Sequence, residues 1–389
     1  MQSLAPYYLY QAAASTSFFQ PIFMVFYQER AGLSLATVLW VQTYFMALRA
    51  LLDVPFGLMA DRTSRRRCLI VGMLSTGAGA CLIVARPTLA VIIVAETLFA
   101  AGMALRSGAD SALLYDTLKA GNGLARYPEA ESRSQAVVAL ASGATAILGS
   151  VLAAYDLRWP YAASVVASLV AALAARSLDE PALHVRRETV RLREAVVVAA
   201  RTPAMRWTLA LAAFVVSASH VFYFLQQPYL TAIGVPLALF GVVFAATKLV
   251  TAIVAASAHR VEARLGLTRT AAVMTVVPVV GLGAMATVHG ALGAGVIVSR
   301  GCLDGLWMPL LNVLMNRLVP STLRATMLSL QNLVSRLALA IVIALCGIAT
   351  QRLGVFATLG WAACVVALCG AALCATSPRL PERPRVIAE

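Results

Sequence analysis

Apolar stretches of about twenty residues recur along the whole chain, separated by short polar interruptions. A helix rises 1.5 Å per residue, so roughly 20 apolar residues are needed to cross a hydrocarbon layer about 30 Å thick. The pattern therefore predicts membrane-crossing helices and an all-α chain. Twelve runs are long enough. The first six cover about 5–28, 34–60, 68–85, 89–118, 134–155 and 160–176, and the second six about 205–230, 236–258, 271–288, 291–315, 324–350 and 355–376. Between them lies 177–203, the longest polar stretch, where Arg186, Arg187, Arg191 and Arg193 alternate with Glu188 and Glu194. The expected organisation is a six-helix bundle over 1–176, a linker over 177–203 that is partly an amphipathic helix on the inner leaflet, and a second six-helix bundle with a short tail over 204–389.

Composition excludes a water-soluble globule: 60% of the 389 residues are hydrophobic and only 12% charged, against about 25% charged in soluble domains. Mean hydropathy is +0.82. The net charge of +14 is carried by arginine, since only Lys119 and Lys248 are lysines. This charge sits in short loops between apolar runs and builds no contiguous basic face, so nucleic acid is excluded as a partner. The seven cysteines fall mostly inside apolar runs without C-x-x-C spacing or a histidine partner. They read as small apolar residues, and no metal or cofactor is expected. No basic region precedes Tyr7, so the first helix is expected to serve as its own insertion signal.

Placing the N-terminus in the cytoplasm puts 22 of the 31 basic residues in inside loops, linker and tail, and only Arg30, Arg86, Arg158 and Arg352 outside. That bias predicts a multi-pass inner-membrane protein with both termini cytoplasmic. The other five, Arg49, Arg106, Lys248, Arg300 and Arg336, fall inside the apolar runs. A charge at the bilayer centre costs about 3 kcal/mol or more, so such residues mark a pathway unless they only tie helices together. Arg49 and Asp53, Arg106 and Asp110, and Arg300 and Asp304 each stand four apart, a spacing that puts both charges on one helix face and allows pairing. Lys248 and Arg336 have no acid at helical spacing. They either leave a central cavity net positive, favouring an anionic or zwitterionic solute, or pair with Asp53 or Asp304 across helices. His220 lies well inside the seventh run, where it can titrate or pack neutral. Glu96 has no obvious partner. Gln20-Pro21 and Gln226-Gln227-Pro228 fall in the first and seventh runs, where proline opens the backbone ladder and Gln227 can meet a ligand. The tyrosines and phenylalanines of 7–27 and 222–229 are expected to form an interface belt.

The fourth and tenth runs carry their Arg and Asp in the same order, which points to two repeats of one six-helix unit. The second run ends in Gly57-Leu58-Met59-Ala60-Asp61-Arg62-Thr63-Ser64-Arg65-Arg66-Arg67. In the form G-x-x-x-D-R-x-x-R-R this resembles the loop signature of the major facilitator superfamily. Asp53-Val54-Pro55-Phe56-Gly57 resembles that signature's acid-x-P-x-G lead-in. The segment from Pro320 through Arg324-Ala325-Thr326 to Ser329 resembles the start of helix eleven in bacterial members, and 259–264 looks like a degenerate second copy of the loop.

The resemblance implies twelve transmembrane helices in two pseudo-two-fold-related bundles. Gly57 would let two helices approach closely. Asp61 would face the amides of 321–324 at a helix N-terminus, Arg62 would hold the loop inside, and Arg65 would pair with Asp116, together a cytoplasmic latch. Ser64 replaces the usual glycine. The resemblance further implies a monomeric secondary transporter that moves a small organic solute by alternating access with proton coupling, Asp53 being the first choice for the proton and Asp110 and Asp304 following. Both efflux of drugs or metabolites by proton antiport and uptake of an organic anion, zwitterion or siderophore-like compound fit, with an uncoupled facilitator as the remote alternative. Helix five reads Gly143 through Gly149-Ser150 without the proline of drug antiporters, and Arg106 is followed by Gly108 rather than by R-x-x-x-G, which weakens efflux of that kind. The chain has no nucleotide-binding P-loop, H-E-x-x-H or G-x-S-x-G, so no enzyme is expected.

Overall fold

A computed structural model describes residues 4–180, 192–319 and 323–378. All regular structure among them is helical. The first group comprises α1 (Ala5–Ala14), α2 (Phe23–Glu29), α3 (Leu35–Arg62), α4 (Arg65–Ala85), α5 (Leu89–Arg106), α6 (Ala109–Ala120), α7 (Tyr127–Tyr155) and α8 (Trp159–Arg176). After α9 (Leu192–Arg201) comes the second group: α10 (Pro203–Ala232), α11 (Phe240–Thr287), α12 (Ala291–Val298), α13 (Arg300–Leu318) and α14 (Arg324–Ala375). Nine segments among the described residues are long and apolar enough to cross a membrane. Two of these, 237–287 and 326–375, are each two helices joined at a kink, at Gly266 (φ 76°) and Gly354 (φ 78°). Glycine has no Cβ to clash at positive φ, so it takes that non-helical conformation without strain.

Helix starts follow local chemistry. Ser34 accepts from the Thr37 amide and Ser64 from the Arg67 amide, capping α3 and α4, which satisfies donors that a helix N-terminus otherwise leaves open. Small residues set the spacing of the bundle. A Cβ at Gly72 would sit 2.8 Å from the Gly102 carbonyl and one at Gly79 3.0 Å from the Ala95 carbonyl. Rising along α4 thus means descending along α5, and the two run antiparallel.

The long helices alternate between two ends. The basic end carries Arg62–Arg67 and the α6–α7 turn, while the far end carries the α4–α5 and α7–α8 turns and Gly354. Within the first group α4 packs on α5 and α8, and within the second α10 packs on α14 and α11 on α13. The groups meet where α3 lies along α14 and α7 along α11. At the far end Gly241 presses on the Ala146 carbonyl, and Gly347 lies close enough to α3 that an added Cβ would be 3.4 Å from the Leu39 Cβ.

Three expectations change here. The run 5–28 is two short helices, α1 and α2, broken around Gln20-Pro21, as the missing proline N–H dictates. Gly57 closes no helix contact, since a Cβ there would meet nothing within 4 Å. The aromatic residues are core: Tyr10, Phe26, Tyr27, Phe222, Phe224 and Tyr229 are at most 2% exposed. Phe19 stacks between Phe99 and Tyr161 at 5.4 and 4.6 Å, so bundle packing rather than a membrane interface claims these rings. Of the linker, α9 is helical; its arginines at 186, 187 and 191 lie outside the described residues.

Candidate functional site

The charged residues of the apolar runs gather where the groups face one another, halfway between the two ends. Asp53 on α3 forms an ion pair with Arg336 on α14, so the Arg49–Asp53 pair expected from spacing is not made. Arg300 does pair with Asp304, Nε to Oδ2 at 3.3 Å. The Ser219 hydroxyl donates to the same carboxylate, and the Arg300 guanidinium lies 5.4 Å from the centre of the Tyr223 ring. Arg300 is only 3% exposed, and its Nη1 has no acceptor.

The pair expected at Arg106 and Asp110 is also absent, for a reason visible in the backbone. Helix α5 stops at Arg106, Gly108 takes φ 77°, and α6 starts afresh at Ala109. The i,i+4 register is lost across that break. Arg106 Nη2 instead donates to the Ala14 carbonyl at 3.2 Å. Asp110 accepts from the Ser111 amide at 2.8 Å and from Gln11 Nε2 at 3.4 Å. In the tenth run the backbone stays right-handed at Ser299 (φ −60°, ψ −24°), just before Arg300. Arg300 and Asp304 therefore share one helix and keep their register.

Lys248 Nζ lies over the Phe244 ring at 5.5 Å. His220 Nδ1 donates to the Val216 carbonyl at 2.8 Å, which fixes its tautomer and leaves Nε2 as the free ring atom. Gln227 spends both ends of its amide on the broken first run: Oε1 accepts from the Met24 amide at 2.9 Å and Nε2 donates to the Gln20 carbonyl at 3.1 Å. It ties the two groups together at the far end. Arg49 makes no hydrogen bond or ion pair among the described residues, and its Nε is buried without an acceptor. Arg49, Met103, Arg106, Ser107, Gly108 and Asp110 line a cavity of ≈ 180 Å³.

At the basic end, Arg65 on α4 pairs with Asp116 on α6 as expected. Arg62 is exposed. The Asp61 side chain and 320–322, between which a contact is expected, lie outside the described residues. Sequence reasoning missed Glu180, whose carboxylate accepts from the Arg65 amide at 2.6 Å and from the Ser64 hydroxyl. An anion there suits both the open amides and the dipole of α4. The only sequence signal was an acidic pair, Asp179-Glu180, directly after the sixth run. It missed Glu262 as well, which pairs with Arg317 at 2.9 Å and gives the degenerate second loop its own ion pair.

Glu96 has partners after all. The Tyr27 hydroxyl and Gln42 Nε2 both donate to its Oε1 at 2.8 Å, joining α2, α3 and α5 through one carboxylate that is 4% exposed. Three neutral-looking polar residues on separate runs are hard to assign to one another from a sequence. Outside the bundle, Asp156 Oδ1 accepts from the Arg158 amide and from Arg30 Nη2, each at 2.9 Å. The amide and then the nearby arginines hold that carboxyl below its ordinary range.

Solved structures share this architecture. The nucleoside transporter NupG, in a single-substitution mutant, superposes with a TM-score of 0.83 at 9% identity, covering 96% of this chain and 98% of that one. A mutant peptide transporter of the POT family gives 0.75 at 15% identity, with 96% and 93% covered. A POT family transporter in complex with 5-aminolevulinic acid gives 0.73 at 13% identity, with 97% and 96% covered. Identities this low speak for the fold alone. No curated protein sequence matches the chain. A model of the Major Facilitator Superfamily, however, matches residues 10–343. With that match spanning most of its length, the chain belongs to the Major Facilitator Superfamily and is a multi-pass membrane transporter, not an enzyme.

Proposed function

We propose that this secondary transporter is a proton-coupled, alternating-access carrier of a small organic solute, with Asp53 as the coupling acid. The observation that carries the reading is the Asp53–Arg336 ion pair, which joins the two helix groups through α3 and α14. A carboxylate stays ionised beside a guanidinium and takes up a proton when the cation is withdrawn into a dry interface. A solute that draws Arg336 away would hand Asp53 to a proton, and loss of the proton would restore the pair. Asp304, held by Arg300 and Ser219, is the next candidate, followed by Asp110.

The architecture belongs to the same proposal. The 51- and 50-residue segments each divide at a glycine kink, and α1 with α2 make one broken crossing; counted so, there are twelve crossings. We assign them to a bundle over 1–176, a linker over 177–203 and a bundle over 204–389. The repeated Arg and Asp spacing supports repeated units. Basic residues concentrated at one end support an inner-membrane protein, working as a monomer, with both termini in the cytoplasm. The state described here is then closed to the outside, and the Arg65–Asp116 pair belongs to the cytoplasmic latch.

The test is charge movement in proteoliposomes on solid-supported membranes, with pools of anionic, zwitterionic, cationic and neutral metabolites added at several pH values. Substrate-evoked currents that depend on pH in the wild type and not in Asp53→Asn are expected. Currents whose pH dependence survives Asp53→Asn move coupling to Asp304 or Asp110. Transport without pH dependence in the wild type refutes proton coupling.

A further inference from the structure

The commitments of the central charges leave one side of the cavity uncompensated. Asp53 is taken by Arg336 and Asp304 by Arg300 and Ser219. Asp110 lines the cavity itself, its carboxylate accepting from the Ser111 amide and Gln11, and sets one negative charge against the two positive charges of Arg49 and Arg106. Arg49 has no partner among the described residues, and Nε of both Arg49 and Arg106 is buried without an acceptor. Arg49 also stands within electrostatic range of Arg106 and of Arg336. Two guanidinium groups lining one cavity repel each other. With Asp110 the only acid among the cavity's lining residues, one positive charge is left over for an anion to meet.

The backbone adds a second feature at the same place. The break at Ser107–Gly108 opens the N-terminus of the 12-residue α6 into the cavity that Arg49 and Arg106 line. A helix start presents open amides and the positive end of its dipole, and interrupted helices at mid-membrane are where carriers hold charged solutes. Planar guanidinium groups match the paired oxygens of a carboxylate or phosphate. We propose that Arg49 and Arg106, with the start of α6, bind the acidic group of an organic anion, so that the transported solute is a carboxylate or a phosphate ester. This rests on the transport reading above and names its substrate class. It does not require proton coupling.

The test is equilibrium binding to the purified full chain in detergent at one fixed pH, read by thermal stabilisation and titration calorimetry. The probes are acetate, succinate, citrate, inorganic phosphate and glycerol phosphate, with alanine, tetraethylammonium and uridine as zwitterionic, cationic and neutral comparisons. Saturable binding of at least one anion is expected, weakened about tenfold or more in Arg49→Gln and in Arg106→Gln, since a hydrogen bond to a charged group contributes roughly 1.5–3 kcal/mol. Arg49→Lys keeps the charge and loses the fork, and is expected to fall between wild type and Arg49→Gln. It also serves where the neutral variant fails to fold. Lys119→Gln, on the exposed basic end, is expected to bind as wild type. Whether carboxylates or phosphates bind separates the two sources of the acidic group. Preferred binding of tetraethylammonium or uridine, binding of none of the five anions at 10 mM-scale concentrations, or anion affinity unchanged in both glutamine variants overturns the proposal. Because binding is read without a gradient, its failure is distinct from failure of Asp53 coupling, which is read only in the pH dependence of currents.

Discussion

The contact between α7 and α11 gives a sharp handle on the carrier cycle. A Cβ at Gly241 would run into the backbone of Ala146 and Ile147, whereas one at Gly143, about one helical turn away on the same seam, would lie 3.9 Å from the Ala245 Cβ. Both replacements by alanine gain helix propensity, at most about 1 kcal/mol and less at Gly241 in the first turn of α11, and gain it in every conformation. Only the Gly241→Ala clash depends on the far end being closed. Overpacking against backbone costs about 1–3 kcal/mol, which shifts a two-state equilibrium about 5- to 150-fold toward the far-end-open state. The assay is dipolar spectroscopy between spin labels at Arg158 and Leu353, exposed positions at the far end of the two groups. It needs a background lacking the native cysteines, of which Cys81, Cys364, Cys369 and Cys374 are exposed. Gly241→Ala is expected to move the distance distribution to longer values and Gly143→Ala to leave it in place. If the two variants are folded and give the same distribution as the parent, the α7–α11 seam is not what closes the far end.

Removing the Glu96 acceptor by Glu96→Ala strands the Tyr27 hydroxyl and the Gln42 amide in the core and should cost about 2–6 kcal/mol, at 1–3 kcal/mol per buried donor. Glu96→Gln keeps an acceptor oxygen and should lose less than half as much in thermal unfolding; equal losses would contradict the hydrogen-bond account. At the basic end Asp116→Asn should cost about 1 kcal/mol, discounted because both partners of the Arg65 pair are partly exposed. The exchange Arg65→Asp with Asp116→Arg should recover most of it, and a double variant no more stable than the singles counts against pairing. Asp156 has a folded-state pKa below its ordinary value, through the Arg158 amide first and the arginines second. Its contribution is therefore present above the unfolded carboxylate value, about 3.9, and lost as pH falls through the folded value. The melting difference between wild type and Asp156→Asn should be small and constant from pH 6 to 8 and shrink as pH falls below the ordinary carboxylate value, about 3.9; a difference that grows on acidification reverses the sign argument.

The membrane segments were legible because hydropathy is a sum over twenty residues, which one serine or glycine hardly alters. For the same reason the interruption at Ser107–Gly108 was invisible. It decides the site: Arg300 and Asp304 stay in one helical register and pair, and Arg106 loses Asp110. Gly57 shows the converse error. A glycine in a signature looks like a close contact, yet at the end of α3 it faces open space. Arg65 with Asp116 was legible because loop arginines and a helix-end acid at one end of the bundle have few alternatives. Glu96 was illegible because its partners are uncharged and arrive from α2 and α3.

The fate of Asp53 shows which interaction prevails when spacing and packing compete. An i,i+4 ion pair along one helix contributes only about 0.3–0.5 kcal/mol at a surface, too little to hold a carboxylate against a better partner. Helix α3 lies lengthwise on α14, and that packing brings Arg336 to Asp53 in an interface where both are mostly buried. There a charge left alone would cost several kcal/mol. The tertiary pair wins, and Arg49, one turn from Asp53, is left without an acid. The same contact that joins the halves through opposite charges thus creates the excess of positive charge beside it. Arg49 is within electrostatic range of both Arg106 and Arg336, so the proposed anion site and the proposed coupling pair meet at this one arginine.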